Sequence, residues 1–265
     1  MLGSVPGAVG DHRLYGDDER TKEKEPYVET RRLVSQHQME NRELENVRKK
    51  IEAFMLKVLK NEEVKILEAT KEIKDIGLME AAIIHWHEEN IPVLKLEAER
   101  ALKPIIKGVN KVAAKRAEVK VWTNEELEKY ATEYSQGFAN KHSAISALIA
   151  HKAITAEDPQ ESLKLHLSKQ TETRPKKISE SEASKVVNNT KRATWKKAGV
   201  EKLTWRTSGD PCELCASLEG RVVGIDMAFI KAGEEFAVGE EKIVHKRSTL
   251  SPPLHLGCDC FIDIG

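Results

Sequence analysis

The sequence has few aromatic residues and no long uninterrupted apolar run. Aromatic side chains make up 5% of the 265 residues, less than a β-sandwich or an aromatic-lined pocket usually contains. No apolar run approaches the roughly 20 residues of a membrane-spanning helix, so no membrane partner is expected. Residues 1–10 lack the basic start and apolar stretch of a secretory signal. The 43 basic and 43 acidic residues cancel, so the bulk charge gives no indication of nucleic-acid binding.

Cysteine is also absent from the first 211 residues. The four cysteines, Cys212, Cys215, Cys258 and Cys260, all lie in the last quarter of the chain. In a chain without a secretory signal, clustered cysteines more often serve metal or redox chemistry than structural bridges. The C-terminal quarter is therefore the part expected to carry a functional site.

The first 200 residues show the apolar spacing of helices, in steps of three and four. This spacing predicts helices over about 29–70, 71–89 and 93–120. It places Leu78 on the buried face of the second helix. Pro92 is expected to end that helix, and Pro104 to kink or split the next one.

Polar start signals and a glycine predict the later helices. Thr123-Asn-Glu-Glu126 has the pattern of a capping box, and Asp158-Pro159 is a second start signal. Ser179 or Ser181 is expected to open the next helix. Gly199 is expected to end it.

After Gly199, glycine-marked turns separate short β-type segments. Strands are predicted at about 203–207, 221–225, 235–238 and 260–264. We therefore predict an α+β protein, with a mostly helical N-terminal body followed by a small β-containing C-terminal module that carries a Cys/His cluster. The predicted divisions are a flexible arm at 1–27, a helical region at 28–120, a further helical part at 121–202 and the module at 203–265.

The cysteines and one histidine have the spacing of a metal site. Cys212 and Cys215 form a Cys-x-x-Cys pair, and His255 precedes Cys258 by the same interval. With Cys260 they offer five ligands for the four positions around a tetrahedral ion, and thiolate with imidazole suits zinc. Such an ion would join the start of the module to its end, which helps a module too small to bury a large core. Reduced thiols, or disulfides between the two pairs, are the alternatives.

Two enzymatic interpretations compete with the metal site. A redox Cys-x-x-Cys is one, but the surrounding βαβ pattern is missing. In the other, Asp210 orients Cys212 as a catalytic thiol and His255 is its base, which would make a hydrolase or a nuclease-like enzyme. No P-loop, zinc-protease or serine-hydrolase motif occurs, so a protein without enzymatic activity is expected. His85 and His87 point to different faces of a helix and are assigned to its surface.

Positive charge is concentrated in residues 164–202, with eleven basic against four acidic residues. A stretch of this kind can attract phosphate backbones. A solvated helix face is the simpler interpretation, because Trp195 alone could stack on a base there. The residues that would contact nucleic acid are Lys176, Lys177, Lys191, Arg192, Lys196 and Lys197.

Further residues around the cysteines complete a recognisable pattern. They are Trp205, Asp210 and Gly220 around the Cys-x-x-Cys pair, and Pro253 before the closing His-x-x-Cys-x-Cys. This pattern resembles the Mu F-like family of phage head-morphogenesis, or minor capsid, proteins. The preceding helix is similar too, with Asn188 before the closing glycine. The resemblance covers roughly 120–265, so that 121–202 would be the helical part of the Mu F-like domain; Asp259 stands where the family usually has Arg.

The resemblance implies a structural protein of the phage head, associated with the portal vertex and the procapsid interior. Its expected partners are the portal protein, a scaffold or major capsid protein, and packaged DNA. Its expected location is inside the head of the virion, and the host cytoplasm during assembly. The matched residues would hold the module together. A helical adaptor that binds a partner through 29–120 is a third class of function, beside the Cys/His enzyme.

Overall fold

The computed structural model describes the backbone of residues 25–238 and 241–265, and the side chains of residues 42–235 and 244–265. In these residues four long helices come first: α1 Glu25–Thr70, α2 Ile76–Arg116, α3 Asn124–Ile154 and α4 Pro159–Lys197. The module that follows contains β1 Lys202–Arg206, the short helix α5 Glu213–Ala216, β2 Val222–Gly224, β3 Glu235–Val238, β4 Glu241–Val244 and β5 Phe261–Ile264. The predicted α+β class, with a helical body and a small β-containing module, is confirmed.

The chain divides into two units, Met1–Glu40 and Asn41–Gly265. Of the first, the structure describes the helical backbone from Glu25, where α1 begins. Of the flexible arm predicted at 1–27, residues 1–24 lie outside the described residues. Its last three residues belong to α1 and are helical. Everything below concerns the second unit.

Three of the predicted helix signals have the expected structure. The Thr123 hydroxyl accepts a hydrogen bond from the N–H of Glu126, whose carboxylate accepts one from the N–H of Thr123, so the capping box is formed. The carboxylate of Asp158 caps α4, with Pro159 in its first turn. Gly199 follows the end of α4 with a φ of +79°, a conformation that costs glycine little.

The predicted helix end at Pro92 is wrong, and the helix is not split at Pro104. α2 runs through both Pro92 and Pro104, so one helix replaces the two that were predicted. A proline inside a helix costs about 3 kcal/mol. Leu94, Ala98 and Leu102 recur every four residues between the prolines and are almost fully buried, and their packing offsets that cost.

Two further predictions about the helices are also wrong. Neither Ser179 nor Ser181 opens a helix, because α4 is continuous across both, and the Ser179 hydroxyl donates to the carbonyl of Lys176 within the helix. Leu78 is largely exposed. It lies in the first turn of α2, where Asp75 caps the helix by accepting from the Leu78 N–H at 2.9 Å. The sequence analysis did not recognise Asp75 as a cap.

The core of the module includes side chains from two helices of the body. One buried cluster combines Trp205 and Phe229 of the module with Ala113 of α2 and Trp195 of α4. The Trp195 indole N–H donates to the Ala113 carbonyl at 2.9 Å. At the end of α2, Arg116 forms two hydrogen bonds to the Asp263 carboxylate of β5. The buried cluster of the module thus contains residues from both sides of the predicted boundary at 202/203.

The module contains a three-stranded antiparallel sheet in the order β2-β1-β5 and a separate antiparallel pair, β3 with β4. β4 was not predicted from the sequence. Trp205 of β1 is in register with Ile262 of β5, so the strands that flank the two cysteine segments lie side by side. Among the described residues, no helix is both long and apolar enough to cross a bilayer.

Candidate metal centre

The two cysteine segments meet because each adjoins one of two paired strands. Cys212 and Cys215 lie at the start of α5, which follows β1 after a short turn. His255, Cys258 and Cys260 lie in the loop that leads into β5. β5 pairs antiparallel with β1. The pairing therefore brings residues more than forty positions apart to the same end of the sheet.

The five predicted ligands form two overlapping groups. The His255 Nε2 atom lies 3.2 Å from the Cys212 sulfur and 3.1 Å from the Cys215 sulfur. The Cys215 sulfur lies 3.8 Å from the Cys258 sulfur. Cys212, Cys215 and His255 form one group with ligand atoms within 4.8 Å of one another, and Cys215, Cys258 and Cys260 form the other. Both groups could hold a metal ion, and Cys215 belongs to both.

The imidazole of His255 is oriented for binding through Nε2. Its Nδ1 atom is 2.8 Å from the carbonyl oxygen of Leu256. A carbonyl can only accept, so Nδ1 carries a proton and Nε2 is the ring nitrogen that faces the two sulfurs. A backbone carbonyl on the second nitrogen is the usual partner of a metal-binding histidine. Gly257, with a φ of +76°, makes the turn that returns the chain to Cys258.

The thiols strongly affect one another's pKa values. Hydrogen bonds from Cys215 and Cys260 lower the pKa of Cys258, and the same bond to Cys258 raises the pKa of Cys215. Burial opposes ionisation of Cys212, but the N–H of Cys215 and the His255 ring outweigh it and lower its pKa. Close thiolates repel one another, so several can ionise together only beside a cation.

The buried indole of Trp205 lies beside the cysteine cluster. Its side chain is 0% exposed, and its Nε1 atom has no hydrogen-bond partner at ordinary distance. The hydrogen bond with Cys215 lowers the pKa of the nearby Cys260 thiol, but the hydrogen bond with Cys258 and burial outweigh it and leave that pKa raised; the Trp205 indole contributes a small lowering.

The other motif residues surround the cluster without joining it. Asp210 is exposed and lines the pocket at the cysteines. Gly220 turns the chain after α5 with a φ of +74°, and its N–H donates to the Trp205 carbonyl at 2.9 Å. Pro253 follows Pro252 through a cis peptide bond and lines a separate groove beside α4.

Most of the residues proposed to contact nucleic acid have partners within the chain. Lys191 is buried, with its Nζ atom 5.2 Å from the centre of the Phe261 ring. Arg192 donates to the carbonyls of Leu250 and Met227. Lys196 pairs with Asp226, and Lys197 with Glu126. Lys176 and Lys177 are exposed on α4.

The helical body contains a second group of ionisable residues that the sequence did not reveal. Glu182 of α4 is 2% exposed, and its carboxylate accepts hydrogen bonds from the Lys141 ammonium at 2.6 Å and from the Tyr134 hydroxyl at 3.2 Å. His87 is 4% exposed, and its burial lowers its pKa to about 4. The assignment of His87 to the helix surface is therefore wrong, whereas His85 is exposed as expected. Charged residues among apolar ones carry no periodic signal of burial, so only the structure identifies this group.

Comparison with known proteins does not identify the chain. No protein family, curated protein or solved structure matches it. A functional conclusion therefore depends on the site itself and on the sequence pattern described above.

Proposed function

We propose that this chain is a structural protein, a minor capsid protein of a phage head, whose C-terminal module is held together by a zinc ion. The carrying observation is that Cys212, Cys215 and His255 form one group of ligand atoms, and that Cys215 also belongs to a second group with Cys258 and Cys260. Sulfur and imidazole are the ligands that structural zinc sites use. The proposal assigns no catalytic residue.

One sulfur–sulfur distance supports Cys258 as the fourth ligand beside Cys212, Cys215 and His255. A regular tetrahedron with Zn–S bonds of about 2.3 Å has S···S edges of about 3.8 Å, and the Cys215 and Cys258 sulfurs are 3.8 Å apart. Four protein ligands would close the coordination sphere, so the ion would supply folding free energy and no open position for chemistry.

Under this assignment the two cysteines of the last loop differ in their effect on zinc binding. Cys258→Ser is expected to lose zinc, because it removes a ligand. Cys260→Ser is expected to retain about one zinc per chain, since four ligands remain. Elemental mass spectrometry of both purified variants measures the difference.

The Co²⁺ spectra of the same variants identify the ligand set independently. Thiolate-to-cobalt absorption should remain in Cys260→Ser and disappear or weaken strongly in Cys258→Ser. The opposite pattern would assign Cys260 as the ligand, and equal loss in both variants would contradict a four-ligand site of this composition.

The phage-head assignment is supported by the order of the motif residues. Trp205, Asp210 and Gly220 surround the first cysteine pair, in the pattern that resembles Mu F-like proteins. The proposed partners are the portal protein and a scaffold or major capsid protein, in the host cytoplasm during assembly and inside the virion head afterwards. Lys176 and Lys177 are the exposed residues that remain available for packaged DNA.

Co-purification tests the assignment directly. The full chain, expressed with the portal, scaffold and major capsid proteins of its own phage, should sediment with procapsids and be lost from particles assembled without portal. A chain that stays at the top of the gradient in both cases would contradict the head assignment. A helical adaptor of another system would behave in that way.

One observation favours a Cys/His enzyme as the second candidate. The exposed Cys212 sulfur lies 3.2 Å from His255 Nε2 and lines a pocket with Asp210. His255 Nδ1 is bonded to the Leu256 carbonyl, so the backbone orients the imidazole in this candidate. Hydrolysis of model esters or of DNA by chelator-treated protein, abolished by His255→Ala, would favour this candidate. If that activity survives Cys212→Ser, the histidine acts without the thiol.

A further inference from the structure

The loop that contributes Cys258 and Cys260 is attached to helix α4 by one side chain. Asn188 is 1% exposed and lies against β5, an edge strand of the three-stranded sheet. Its Nδ2 atom donates to the Cys260 carbonyl at 3.2 Å, and its Oδ1 atom accepts from the Ile262 N–H at 3.0 Å. The amide thus pairs with β5 as the backbone of a neighbouring strand would.

The orientation of this amide is fixed from within α4. Nδ2 also donates to the carbonyl of Ser184, one turn earlier, at 2.9 Å. The two ends of the amide are therefore assigned without ambiguity, because Nδ2 faces two carbonyls and Oδ1 faces an N–H. The position of the Cys260 backbone is consequently set by a rigid helix of the body.

A second attachment reaches the same loop from α1. Arg48 forms two hydrogen bonds to the carboxylate of Asp259, which lies between the two cysteines. The Arg48 side chain is only 18% exposed, so solvent screens this pair less than a surface ion pair.

We propose that Asn188 and Arg48 are positioning residues of the metal centre. They touch the backbone and the intervening residue of the Cys258–Cys260 loop and none of the ligand atoms. Metal affinity would then depend on the helical body, and the module would not be a self-contained zinc-binding unit. The proposal rests on the zinc site of the proposed function.

The test compares the zinc affinity of full-length variants by competition with a chromophoric chelator. Asn188→Ala and Arg48→Glu are expected to weaken zinc binding by roughly 10–100-fold, the usual effect of removing a residue that supports metal ligands. Asn189→Ala is the matched control, because Asn189 bonds to Ser251 and not to the cysteine loop. It should bind zinc as the wild type does.

A charge reversal separates positioning from general stability. Arg48→Glu combined with Asp259→Arg restores an ion pair with opposite sense, and zinc affinity should return to within a few-fold of wild type. Circular dichroism identifies variants that fail to fold. If Asn188→Ala fails to fold, the zinc affinities of Arg48→Glu and of its combination with Asp259→Arg test the proposal. If the folded variants all bind zinc within threefold of wild type, the positioning proposal is overturned and the zinc site is not. A wild-type chain that binds no zinc would overturn both this proposal and the zinc site.

Discussion

Cys215→Ser is expected to abolish zinc binding and to unfold the C-terminal module. Cys215 belongs to both groups of ligands and is almost fully buried, so no neighbouring thiol can replace it without moving the chain. Structural zinc sites contribute apparent binding free energies of about 10–16 kcal/mol. We therefore expect the free energy of unfolding to fall by more than about 4 kcal/mol, which is exceptional for a single substitution.

Guanidinium unfolding with two probes measures this effect. Fluorescence of Trp205 and Trp195 reports on the core that module and body share, and far-ultraviolet circular dichroism reports on the four helices. The fluorescence transition should move furthest in Cys215→Ser, whereas Cys260→Ser, the matched thiol control, should stay close to wild type. A Cys215→Ser protein with wild-type stability and zinc content would show that the cluster does not hold the module.

Glu182→Gln is expected to destabilise the helical body by about 1.5–3 kcal/mol, the contribution of hydrogen bonds to a charged group. Glu182 accepts from Lys141 at 2.6 Å and lies 3.7 Å from Lys185. The variant leaves these cations beside a neutral amide. Glu180→Gln on the same helix is the control, and its effect should be within about 0.5 kcal/mol. Urea unfolding followed by circular dichroism compares the two, and equal effects would contradict the account.

The pKa of the Glu182 carboxyl group should make the free energy of unfolding depend on pH. Burial alone would raise the pKa of Glu182, but His142, Lys185 and Lys141 lower it well below its usual range. A carboxyl group with a lowered folded-state pKa contributes stability above its unfolded pKa of about 4.3, and that contribution is lost as the pH falls towards the folded value. Stability should decline below about pH 4 in the wild type and less steeply in Glu182→Gln.

The sequence was most informative where a local pattern determines the structure. Apolar spacing identified the helical region, and the capping box at Thr123 located the start of α3. The prolines at 92 and 104 led to the prediction of two helices where the structure has one. The local rule assigns each proline a cost without including the burial of Leu94 and Leu102 that offsets it. β4 was missed for a related reason, since its pairing with β3 is not encoded in its own residues.

The candidate ligands could be predicted from the sequence, but the residues that contact their loop could not. The spacing of the four cysteines and His255 indicated the five residues that the structure brings into two groups able to hold a metal ion. The contacts of Arg48 with Asp259 and of Asn188 with the Cys260 carbonyl join residues 211 and 72 positions apart. Such contacts depend on how helices pack, so no motif or period within either segment indicates them.

The central claim, that a zinc ion holds the module together, is tested most directly by the metal content of the purified protein. Elemental mass spectrometry and free-thiol titration would be made on one sample. The account predicts about one zinc per chain, with thiols that react only after chelation and a module that unfolds at the same time. A metal-free, folded protein in which all four thiols titrate at once would contradict it.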